Sequence, residues 1–136
     1  MIQITETAID VGQVLADVYS EAAGAVNVFI GTVRASTAGK KVERLEYEAY
    51  DSMALSEMRK IADKAKAQWA IQKLVVIHRK GVLQIGEAAV VIAVATPHRQ
   101  DSFEACKFTI DTLKETVPIW KKEVYEDGEV WVAAHP

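Results

Sequence analysis

LKETVPIWKKEVYEDGEVWVA, residues Leu113 to Ala133, decides the fold class. Its first residues close a helix whose apolar stripe is Phe103, Cys106, Ile110, Leu113 and Val117, all at helical spacing. Pro118 ends that helix, because a proline ring crowds a helical residue placed before it. Ile119 to Tyr125 and Glu129 to Ala133 then read as two strands around Asp127-Gly128, a hairpin turn signal. Strands joined by so short a turn pair antiparallel, so a doubly wound parallel sheet is excluded.

Upstream the same grammar repeats. Asp101 opens the last helix, and Glu104 three residues on resembles a capping box. Glu87 to Thr96 is almost wholly apolar, which predicts a central strand covered on both faces, and Pro97 breaks it. Gly81 and Gly86 bracket a short turn region around Val82 to Ile85, and Lys73 to Arg79 is a strand. Met53 to Trp69 is a helix with Leu55, Met58, Ile61, Ala62 and Ala65 as its stripe. Val42 to Tyr50 alternates Val42, Leu45, Tyr47 and Ala49 against charged neighbours, with one slip. Ala35 to Lys41 (ASTAGKK) is small, polar and basic, and reads as a loop too short to separate domains. Ala25 to Arg34 is a strand. Val11 to Val18 is a helix with Asp10 as N-cap and Gly24 as stop, preceded by a short strand from Ile2. The order β-α-β-β-α-β-β-α-β-β predicts one α+β domain over residues 1 to 136, with a mixed or antiparallel sheet.

Composition narrows the function. The formal net charge is -3, so no global basic field draws nucleic acid, and any anion site must be local. The longest apolar run, Ala88 to Ala95, is far short of a membrane span, and MIQITETAID has no signal-peptide pattern. These features predict a cytoplasmic protein. The three histidines, His78, His98 and His135, lack metal-ligand spacing, so no metal or other cofactor is expected. Cys106, the one cysteine, falls on an apolar stripe, where a thiol resists ionisation. It is a poor sulfur carrier. The basic residues suggest more. His98 and Arg99 lie where a strand gives way to a helix start, a place that attracts anions. Arg34 ends a strand, Lys114 lies in the last helical turns, and Lys121 and Lys122 follow Pro118. Each can be a solvated surface charge, and spacing alone allows a compact anion site without requiring one.

Six segments occur together: FIGTVR (29–34), LEYEAY (45–50), HRKGVLQIGE (78–87), HRQDSFEAC (98–106), LKETVPIWKKE (113–123) and DGEVW (127–131). In this order the chain resembles the large, catalytic subunits of molybdopterin synthase, the MoaE family. The resemblance implies an α+β hammerhead domain that dimerises and binds a small ubiquitin-like subunit, giving a heterotetramer. That subunit ends in Gly-Gly and carries sulfur as a C-terminal thiocarboxylate. The implied reaction is two sulfur transfers that convert cyclic pyranopterin monophosphate to molybdopterin, in molybdenum cofactor biosynthesis. The implied catalytic residues are Lys114 and Lys121. The implied substrate contacts are Thr32, Val33, Arg34, His98, Arg99, Lys122 and Glu123. Two other readings compete. One is a dimeric module that binds an anionic ligand or a partner's tail without chemistry. The other, a small hydrolase using His98, lacks a nucleophile. The lysine pair separates enzyme from module, since a mere adaptor has no need of it.

Overall fold

β7 (Ala88–Thr96) is apolar along its length because both of its faces are covered. It lies between β5 (Lys73–Arg79) and β2 (Ala25–Thr32) in a four-stranded sheet of order β1-β5-β7-β2, where β1 is Ile2–Thr5. The β1–β5 pair is parallel and the others are antiparallel, so the sheet is mixed. Alternate side chains divide between two cores. Val90, Ile92 and Val94 pack beneath α2 (Asp51–Gln68) and α3 (Arg99–Thr116). Val91, Ala93 and Ala95 pack beneath α1 (Val11–Val18). The computed structural model describes residues 1 to 133, and His135 lies outside them.

A second sheet runs β3 (Ser36–Thr37), β4 (Lys40–Ala49), β8 (Ile119–Tyr125), β9 (Gly128–Ala133), with β6 (Gly81–Gln84) also paired to β4. Its pairs are antiparallel, and Asp127-Gly128 turns β8 into β9 as expected. The slip in the alternation of β4 is a register shift between Val42 and Arg44, which keeps Val42, Leu45 and Tyr47 facing inward. The whole is one α+β domain. No helix among the described residues is long and apolar enough to cross a membrane.

The local reading needs several corrections. α3 begins at Arg99, with His98 as a cap whose side chain makes no cap bond, so Asp101 and Glu104 form no capping box. Their carboxylates reach across to the end of α2 instead, at Ala70 N (3.3 Å) and Trp69 Nε1 (3.1 Å). Phe103 is exposed, and the buried face of α3 uses Ala105 and Thr109 beside Cys106, Ile110 and Leu113. α2 starts at Asp51, two residues early. Ala35 to Lys41 is a tight hairpin, with Ala38 and Gly39 at positive φ. The region from Gly81 to Gly86 contains β6. Asp10 does cap α1, accepting from Gln13 N at 3.0 Å. Gly24 is not a stop, since α1 ends at Val18. A Cβ there would lie 2.4 Å from the Pro97 carbonyl oxygen, so it permits a close backbone crossing.

Candidate functional site

The two sheets and the end of α3 enclose a cavity of about 270 Å³. Local chain chemistry brings its two lysines together. Val117 precedes a proline and takes extended backbone (φ -83°, ψ 126°), so the helix stops there. The Pro118 carbonyl accepts from Tyr50 N at 3.3 Å, which lays β8 against β4 at once. Lys114 in the last turn of α3 and Lys121 on β8 therefore line one cavity. Arg34 and Thr32 join them from the end of β2. Glu123, two residues along β8 and thus on the same face, completes the group.

Electrostatics separates these residues. Glu123 is buried at 4% exposure, takes a hydrogen bond from the Tyr125 hydroxyl, and lies 3.5 Å from Lys121 Nζ. This carboxylate raises the Tyr125 phenol pKa, chiefly through that hydrogen bond. Lys121 is therefore held by a fixed anion. Among the described residues, Arg34 and Lys114 have no ion-pair partner. An acidic protein thus presents two unneutralised cations and one tethered cation to a single cavity, which suits an anionic ligand.

Four expected residues lie elsewhere. Val33 is buried in a separate small core with Val42, Leu45 and Leu83, and its backbone bonds Glu87 and Gly86. Lys122 points to the opposite face of β8, between Glu46 (3.4 Å) and Glu129 (3.5 Å) and over the Trp131 ring. His98 and Arg99 are exposed at the start of α3 and do not line the cavity. Fifteen residues of helix separate Arg99 from Lys114, about 22 Å along the axis.

Among the lining residues that were not anticipated are Phe29, Tyr47 and His78. Burial and the nearby Glu123 push the Tyr47 phenol up to about 12, so it stays protonated. Burial pushes His78 down to about 4 against a bond to the Arg79 carbonyl, so the ring is neutral at pH 7. Cys106 lies in the main core at 4% exposure, and burial pushes its thiol up to about 11. It is the inert packing residue that its stripe position predicts.

The family model described as MoaE protein matches residues 4 to 116. A molybdopterin synthase catalytic subunit from Bacillus subtilis is 48% identical over 130 residues, covering 96% of this chain and 83% of the relative. One from Halalkalibacterium halodurans is 50% identical over 129 residues, covering 95% and 83%. A solved molybdopterin synthase structure from Staphylococcus aureus superposes with a TM-score of 0.90 at 44% identity, covering 95% of this chain and 94% of that one.

Proposed function

The chain belongs to the MoaE family, and from that premise we infer that it is the catalytic subunit of a molybdopterin synthase, a sulfurtransferase of molybdenum cofactor biosynthesis. Its substrate is cyclic pyranopterin monophosphate, and its sulfur comes from the C-terminal thiocarboxylate of a small ubiquitin-like subunit ending in Gly-Gly. The observation that carries this reading is the convergence of Arg34, Lys114 and Lys121 on one cavity, with two of the three cations unpaired among the described residues. Substrate phosphate and thiocarboxylate are both anions and repel each other in water. A cationic cavity offsets that repulsion and holds them in contact. One ammonium stabilises charge that develops as sulfur attacks the pterin side chain. With Cys106 buried, sulfur has to arrive from outside the chain.

Thr32, Arg34, Lys114, Lys121 and Glu123 form the site within one chain. Val33 seats the strand end between Thr32 and Arg34, and Lys122 braces β8 from its far side. His98 and Arg99 are too distant to act on their own chain's cavity, and so act on that of a second copy. A homodimer follows, and with two small subunits a heterotetramer. β9 is an edge strand with Val130 and Trp131 exposed, a surface suited to strand-mediated dimerisation. The setting is the cytoplasm. Incubation with the precursor and thiocarboxylated small subunit, followed by assay for molybdopterin, tests the reading. Precursor binding without product would leave only an anion-binding module.

A further inference from the structure

Among the described residues, only Glu123 and His78 are polar of the buried side chains that line the cavity. Glu123 is engaged by Lys121 and Tyr125. His78, on β5, is 4% exposed, and its Nδ1 lies 2.8 Å from the Arg79 carbonyl oxygen. A carbonyl oxygen can only accept, so Nδ1 carries the hydrogen and Nε2 keeps its lone pair. The Tyr47 ring meets the imidazole edge-on, with centroids 5.2 Å apart and planes at 70°, which fixes the ring's orientation. The cations around the cavity are donors only. They serve a phosphate or a thiocarboxylate, and they cannot accept an N–H of the ligand.

We propose that His78 Nε2 is a hydrogen-bond acceptor of the cavity for an N–H of the substrate's heterocycle, and so favours a ring that carries such a donor. This rests on the pterin reading above. The cations hold the phosphate end, and His78 reads the ring end. Neutrality is part of the device, because a protonated imidazole would be one more donor and would reject the N–H.

Calorimetry with two probes, cyclic pyranopterin monophosphate and inorganic phosphate, tests this on the wild type, His78→Phe and His78→Gln. His78→Phe should weaken precursor binding about tenfold, the loss expected for an unpaired donor, and leave phosphate binding unchanged. His78→Gln should restore most of the loss, because its amide oxygen can stand where Nε2 stood. Unchanged precursor affinity in folded His78→Phe overturns the proposal. Nitrogen NMR of the wild-type ring gives a reading that needs no variant. The ring should be the Nδ1–H tautomer, with an Nε2 signal that moves on addition of precursor and not of phosphate. An Nε2–H ring, or an Nε2 signal unmoved by precursor, overturns it too. A wild-type protein that binds phosphate but no precursor would instead sink the pterin reading itself.

Discussion

Lys114 and Lys121 line the same cavity but differ in surroundings, so their alanine variants should differ in a defined way. Loss of a positioned charge typically costs on the order of 10²–10³ in rate, and both variants should show it in single-turnover assays with preformed thiocarboxylated partner. Lys114 has no ion-pair partner among the described residues, so Lys114→Ala should melt like the wild type. Lys121→Ala strips the cation from buried Glu123 and should also lose about 1–3 kcal/mol of stability. A wild-type rate in either variant removes that lysine from the chemistry. His78 makes a separate prediction in pH. Its pKa falls from 6.5 in the unfolded chain to about 4 in the fold. Above pH 6.5 both states hold it neutral, and its burial is harmless. Between pH 6.5 and about 4 the unfolded chain takes up a proton that the fold refuses, so up to roughly 3 kcal/mol of stability is lost. The difference in unfolding free energy between wild type and His78→Gln should shift by that sign across the window. Parallel curves would mean that His78 charges freely in the fold. The sequence spoke unevenly at this scale. The burial of Cys106 was legible from its stripe, and the lysine pair from a resemblance that spacing alone did not supply. Tyr47 and His78 were passed over because their meeting brings together side chains from two different sheets, which no local pattern records.

Elements were legible where their pattern was long. β7 announced itself through nine nearly unbroken apolar positions, and the β8–β9 hairpin through its Asp-Gly turn. β6 was missed because four residues between glycines resemble a turn until β4 supplies their hydrogen bonds. The apparent capping box on α3 failed for a similar reason. Asp101 and Glu104 have the right spacing, but their partners, Ala70 and Trp69, lie more than thirty positions away in sequence. The two readings separate experimentally. If Glu104 clasps α3 to the end of α2 through the Trp69 indole, then Glu104→Ala and Trp69→Phe should not be additive. The coupling should be about 0.5–1 kcal/mol in a double-mutant cycle, modest because the contact is exposed. A capping role predicts independence, with Glu104→Ala equally costly whether or not the indole is present.

The molecule as a whole poses a problem that one chain does not solve. The resemblance implies substrate contacts at His98 and Arg99 as well as roles for the lysines, yet α3 places Arg99 about 22 Å from Lys114 along its axis. A rigid helix cannot close that gap, so both groups serve one ligand only if the cavity of one protomer meets the start of α3 from another. In a two-fold dimer the contact is reciprocal, and two such sites form at once. This gives a complementation test. Arg99→Ala alone should weaken precursor binding roughly ten- to hundredfold, and Lys114→Ala alone should abolish most turnover. Each homodimer carries its defect in both sites. Co-expressed, the variants form hybrids in which one site pairs an intact Lys114 with an intact Arg99, and the other site collects both defects. With random pairing half of the dimers are hybrid, so activity at limiting precursor should return to about a quarter of wild type. If each chain instead supplied both residues to its own cavity, mixing would give only the mean of two poor enzymes. A sedimentation profile showing monomer alone at micromolar concentration would remove the second copy, and with it any role for Arg99 in the cavity that holds Lys114.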